Sequence, residues 1–130
     1  MNIMVCYDGS DVVEDALKLA RKHAKDFNAK IYLVTSMEGG PEVPKEDFEK
    51  AEKKLETAKR SVKSDDIACE TLLSVRGLEA GENLVKLAEE KEIDQIYIGV
   101  RRRSKVGKFI FGSTAQYLIL EAPCPVVTVK

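Results

Sequence analysis

The densest chemistry in this chain lies between Gly99 and Thr114. The segment Gly99-Val100-Arg101-Arg102-Arg103-Ser104-Lys105-Val106-Gly107-Lys108 carries five cationic residues, and Gly112-Ser113-Thr114 then opens a helical pattern. The first N–H groups of a helix have no intrahelical acceptor, and the helix dipole adds partial positive charge at that end. A phosphate suits such a place. Gly112 would let the main chain approach it closely, and Ser113 could donate its hydroxyl beside the amides of Thr114 and Ala115. The same residues also suit a plain role in which Gly112 forms a turn and Ser113 caps the helix.

Asp8 is the second candidate. Placed at the end of the first apolar run, it could accept hydrogen bonds from a ribose or an adenine, or hold Mg2+ together with a phosphate. Alternatively it ties down the Gly9-Ser10 turn through an Asx hydrogen bond. Two familiar phosphate motifs are absent: Gly107-Lys108 is followed by Phe109, which breaks GxxxxGK[ST], and no GxGxxG follows the first strand. A P-loop NTPase and a standard dinucleotide site are thus disfavoured. His23, the single histidine, has no nucleophile near it in sequence and reads as a partly covered surface residue. No general base is evident beyond Asp8, so no catalytic residue is assigned and the chemistry is at most slow hydrolysis.

Composition narrows the class further. With 130 residues, 44% hydrophobic and 33% charged, the chain is sized for one folded domain over residues 1–130. A formal charge of −1 supplies no global field for nucleic acid, so any basic site is local. Cys6, Cys69 and Cys124 are odd in number and lack CxxC spacing, which fits neither a disulfide framework nor a zinc site. They read as small buried hydrophobes. No uncharged stretch reaches the roughly 20 residues of a membrane span, and no basic leader precedes the first apolar run. The expectation is a cytoplasmic protein without a membrane partner.

Short apolar runs alternate with helical patterns, the mark of βα units around a parallel sheet. Strands are expected at Asn2 to Tyr7, Ile31 to Met37, Ile67 to Val75, Ile96 to Ile98 and Val126 to Val129. The first and fourth are uncharged and read as central, whereas Glu70 and Ser74 mark the third as an edge. Ser10 is the expected N-cap of a first helix burying Val13, Ala16, Leu17, Ala20, Ala24 and Phe27. Glu38-Gly39-Gly40-Pro41 breaks regular structure, and a second helix from Pro44 presents Phe48, Ala51, Leu55, Ala58 and Val62 on one face. A third helix is expected from Leu78 to about Lys91, burying Leu84, Val85 and Ala88, and a short fourth runs from Gly112-Ser113 to Ile119. Right-handed crossovers favour the order 3-2-1-4-5 in an open α/β, Rossmann-like sheet with helices on both faces. That order reverses between strands one and four, so the ligand crevice is expected at their carboxyl ends, at Asp8 and Gly99.

Four segments, MVCYDGS, DQIYIGVRRRS, FGST and APCPVVTV, together resemble the universal stress protein family across nearly the whole chain. Nucleotide-binding members of that family are similar in a Gly-x2-Gly-x9-Gly-Ser/Thr signature around ATP phosphates and ribose, and in an aspartate after strand one. The resemblance places the glycines on Gly99 and Gly112, the hydroxyl on Ser113 and the aspartate on Asp8. Arg102 stands where the middle glycine would be. An arginine there is disfavoured in a left-handed backbone by about 1 kcal/mol or more, yet its guanidinium can pair with phosphate oxygens, a contact worth about 1.5–3 kcal/mol.

Two readings follow from this resemblance. In the first, ATP binds with adenine near Asp8 and Ser36 and phosphates at Gly112, Ser113 and Thr114, in a regulatory stress-response protein. In the second, Arg102 closes the cleft and the protein is a homodimeric interaction module without nucleotide. RNA binding through Arg101 to Arg103 is weaker, because only Phe109 and Phe111 lie near enough to stack bases. Both main readings share a homodimer through the terminal strand Val126 to Val129, which the resemblance also implies. That strand is apolar and lies at a sheet edge, where unpaired backbone groups invite association.

Overall fold

The computed structural model describes residues 1–38, 43–76, 79–100 and 112–130. Five strands, β1 (Asn2–Cys6), β2 (Lys30–Glu38), β3 (Cys69–Arg76), β4 (Gln95–Gly99) and β5 (Val126–Val129), form one sheet in the order β3-β2-β1-β4-β5. Every neighbouring pair is parallel. The helices are α1 (Asp11–Phe27), α2 (Lys45–Lys63), α3 (Ala80–Glu90) and α4 (Ser113–Glu121). The expected order and α/β class are therefore observed, with β1 and β4 at the centre and β3 at an edge.

Alternation along the strands builds two cores. Ile3 and Val5 of β1, Ile31 and Leu33 of β2 and Tyr97 of β4 face α1 and α2, meeting Leu17, Ala20, Leu55 and Val62. Met4, Tyr32, Val34, Ile96 and Ile98 face the other way, toward Leu84, Leu87 and Ala88 of α3 and Leu118 of α4. Both faces of the central strands are covered, which is why those strands carry no charge. Burying each such aliphatic side chain contributes about 1.5–3 kcal/mol.

The helices depart from the sequence expectations in particulars. Ser10 is the N-cap of α1, but its side chain makes no capping bond, and its buried Oγ has no hydrogen-bond partner among the described residues. The Ser10 amide instead donates to Asp8 Oδ1 at 2.8 Å, so the Asx turn shapes the entry to the helix. Phe27 is 55% exposed rather than buried. The chain reverses just beyond it through Asn28 in the left-handed region, and Ala24 and Ala29 close the core at that end. The ring is left outside, edge-on to His23.

Helix α3 starts at Ala80, after Glu79 in an extended conformation, so Leu78 precedes the helix and lies outside the described residues. Its buried face holds Asn83, Leu84, Leu87 and Ala88, while Val85 is half-buried beside it. Phe48 and Ala51 of α2 are likewise half-buried. His23 is partly covered, as expected, and its Nδ1 meets the hydroxyl of Tyr97. The three cysteines are free, Cys69 buried and the other two half-buried. No described helix is long and apolar enough to cross a membrane.

Candidate functional site

The switch point between β1 and β4 opens into a cavity of about 480 Å³. Its size lies within the few hundred to a thousand Å³ usual for small-molecule sites. Six of the seven residues singled out in the sequence line it: Asp8, Ser36, Gly99, Gly112, Ser113 and Thr114. They come from four elements or their edges, since strand ends and a helix start converge wherever a parallel sheet reverses direction. Arg102, the seventh, lies outside the described residues, as does the whole basic segment Arg101 to Lys108.

Each element places its residue for a local reason. Asp8 follows β1 directly and is exposed, with Oδ1 held by the Ser10 amide. Gly9 turns the chain there with φ of +78°, a conformation that side chains disfavour. Thr35 Oγ1 donates to the Tyr7 carbonyl at 2.6 Å and ties the end of β2 to the end of β1. Ser36, next along β2, therefore points to the opposite face of the sheet, toward α3. The Tyr7 hydroxyl donates to Glu14 Oε1. Burial and that carboxylate together push the Tyr7 hydroxyl well above its ordinary pKa, so the phenol stays protonated.

The two glycines of the cavity serve different ends. A β-carbon on Gly99 would lie 2.8 Å from Val12 Cγ1 and 3.1 Å from Val13 Cγ2, so this glycine lets α1 pack against the end of β4. Gly112 has an ordinary φ of −62°, and no described atom lies within 4 Å of where its β-carbon would be. Neither backbone geometry nor packing among the described residues demands a glycine there. Gly112 lines the cavity, where a glycine lets a ligand approach the main chain closely.

Helix α4 begins at Gly112 without a side-chain cap, and its first intrahelical bond runs from the Gln116 amide to the Gly112 carbonyl at 3.1 Å. The amides of Ser113, Thr114 and Ala115 are thus outside the helical ladder, and all three residues line the cavity. Helices α1, α2 and α3 carry acidic residues in their first turns, but α4 has none. Nothing on α4 itself competes with an external anion for that helix end. Among the described residues, Asp8 is the one carboxylate lining the cavity, and no cluster of three or more acidic, His or Cys side chains could hold a metal. A Mg2+ ion fits here only if phosphates and water supply its remaining ligands, as it commonly accepts.

One polar feature escaped the sequence reading. Asn83 of α3 is fully buried and bridges two serines that face each other in register, Ser36 of β2 and Ser74 of β3. Ser74 Oγ donates to Asn83 Oδ1 at 2.9 Å, and Asn83 Nδ2 donates to Ser36 Oγ at 2.7 Å. The signal available was an asparagine on the apolar face of a helix, where it is a poor helix former.

Comparison with known proteins places these observations among relatives. The model of the Universal stress protein family matches residues 1–130. A universal stress protein of Thermus aquaticus is 32% identical over 135 residues, spanning 98% of this chain and 97% of its own. The structure of a universal stress protein from Archaeoglobus fulgidus is 37% identical, covers 100% of this chain and 98% of its own, and superposes with a TM-score of 0.92. Another from that organism, in complex with dAMP, is 33% identical with a TM-score of 0.86 and the same coverage.

Proposed function

The chain belongs to the universal stress protein family, and from that premise we propose that it is a regulatory protein that binds an adenine nucleotide, ATP foremost, in the cavity at the β1–β4 switch point. The observation that carries this reading is the convergence of Asp8 and Ser36 with Gly112, Ser113 and Thr114 on one cavity. A nucleoside would sit toward Asp8 and Ser36, accepting from the serine and donating to the carboxylate. The phosphates would lie against the start of α4, where the amides of Ser113, Thr114 and Ala115 stand outside the helical ladder and the first turn carries no acid, and the Ser113 hydroxyl would add a donor. The dAMP complex of the Archaeoglobus fulgidus relative supports the same ligand class. Mg2+, if it takes part, would arrive with the phosphates and meet Asp8. With no nucleophile and base paired among the described residues of the cavity, turnover would be at most slow.

Calorimetry of the purified, nucleotide-free protein with ATP tests the reading. Saturable binding is expected, and Gly112→Trp, which fills the cavity, or Ser113→Glu, which places an acid at the helix start, should weaken it by at least tenfold. Absence of binding by the unaltered protein would sink it. We further propose a two-fold homodimer joined along β5, the apolar edge strand.

A further inference from the structure

The chain Ser74–Asn83–Ser36 has one end buried between β3 and α3 and the other at the cavity. Asn83 is 0% exposed and Ser74 is 9% exposed, and Ser74 does not line the cavity, whereas Ser36 does. Burying an asparagine is tolerated only when its amide is satisfied, and here both ends of the amide are used on serines of adjacent strands. Those two serines are partners in the parallel register, Ser36 opposite Ser74, so a single side chain from α3 spans both.

The direction of the bonds matters more than their number. Ser74 gives its hydrogen to Asn83 Oδ1, and Asn83 Nδ2 gives its own to Ser36 Oγ. With one lone pair of its oxygen already accepting, Ser36 has its hydroxyl hydrogen left to donate, and among the described residues no group accepts it. The cavity-facing end of the chain is therefore a donor.

We propose that Asn83 is a positioning residue that fixes the Ser36 hydroxyl as a hydrogen-bond donor toward the base, so that the cavity selects a heterocycle presenting an unprotonated ring nitrogen at that point. This deepens the nucleotide reading and rests on it. A base whose edge offers N–H at that position meets only the second lone pair of Ser36 Oγ, and the hydroxyl hydrogen is then left without an acceptor among the described residues. Adenine meets the requirement, since N1, N3 and N7 all accept, and its exocyclic amine does not. Asn83 touches no ligand in this arrangement. It acts through Ser36 alone, and Ser74 acts through Asn83 by holding the amide in the orientation that keeps its N–H toward β2.

Calorimetry with ATP and its 1-deaza, 3-deaza and 7-deaza analogues separates this role from a structural one. The unaltered protein should bind one of the three analogues about three- to tenfold more weakly than ATP, the effect of one lost neutral hydrogen bond. Ser36→Ala should bring that discrimination to within about twofold. Ser74→Ala, two bonds away from the cavity, should do the same while thermal unfolding and circular dichroism show the protein folded. Asn83→Leu fills the space without the amide and should match Ser36→Ala, with no further loss in the double variant. If ATP binds but all three analogues bind equally well, or Ser36→Ala keeps the discrimination, the inference is overturned and the nucleotide reading stands. If ATP does not bind the unaltered protein, both are overturned.

Discussion

Val12 lies against Gly99 so closely that a single added methyl group at residue 99 would sit 2.8 Å from Val12 Cγ1 and 3.1 Å from the Val12 carbonyl carbon. The start of α1 and the end of β4 are thus seated on each other beside the cavity. Backbone and a β-branched side chain cannot move aside cheaply. Gly99→Ala should therefore destabilise the protein by about 1–3 kcal/mol, the usual penalty of overpacking. Gly112→Ser is the control, because no described atom crowds its β-carbon position and serine is a good N-cap, so stability should be unchanged or slightly raised. Urea unfolding of both variants decides the matter, and equal losses would contradict the distinction between the two glycines.

The parts of this molecule legible in the sequence are those set by local pattern. Uncharged β1 and β4 announced a doubly covered centre, Glu70 and Ser74 announced an edge, and the order of strands then located the crevice at Asp8 and Gly99. Phe27 illustrates the limit, since its spacing matched the apolar face of α1 while the chain reversal at Asn28 left it outside. Ser10 stood where an N-cap should, yet a neighbouring carboxylate took the role of ordering that turn. The role of Asn83 is not legible in the sequence, because its partners are 9 and 47 residues away, on two different strands. Periodicity reports which face is covered, not which polar groups meet beneath it.

Asp65, beyond the end of α2, receives Arg21 of α1 in a hydrogen-bonded ion pair, with Lys25 3.7 Å away. The Arg21 guanidinium holds the Asp65 carboxyl below its usual range. A carboxyl depressed in the folded state contributes stability above the unfolded value of about 3.9, and that contribution is lost as pH falls through the lower folded value. The pair is solvent-accessible, so its effect is modest and screened by salt. The gap in urea midpoint between the unaltered protein and Asp65→Asn should be steady from about pH 7 to about pH 5 and close below about pH 4. A gap that persists at the lowest pH would show that the contact is not ionic in origin.

Cys6 lines the cavity, and burial, aided by the nearby Asp8 carboxylate, pushes its thiol up to about 12. Burial likewise raises Cys69 to about 11. The thiolate is the nucleophile, so at pH 8 Cys6 should react with iodoacetamide at least about tenfold more slowly than a free cysteine of pKa about 8.5, its smaller thiolate fraction outweighing the greater nucleophilicity of a more basic thiolate. Mass spectrometry should find little labelling of Cys6 or Cys69 in the folded protein and full labelling in urea. Alkylation of Cys6 at the free-thiol rate would show that its environment is not the one described.

Strand β5 offers a direct way to test the proposed dimer. The amides of Ile96 and Val100 donate to the carbonyls of Pro125 and Val129, so odd-numbered residues of β5 turn their backbone groups toward β4. By the two-residue period of a strand, Val126 and Thr128 turn theirs toward the open edge. Thr128→Pro removes one outward N–H while leaving the bonds to β4 in place, and proline is tolerated on edge strands. Light scattering at micromolar concentration should report a dimer for the unaltered protein and a monomer for Thr128→Pro, with circular dichroism unchanged. A dimer that survives this substitution would place the interface elsewhere, and a monomeric unaltered protein would remove the dimer altogether.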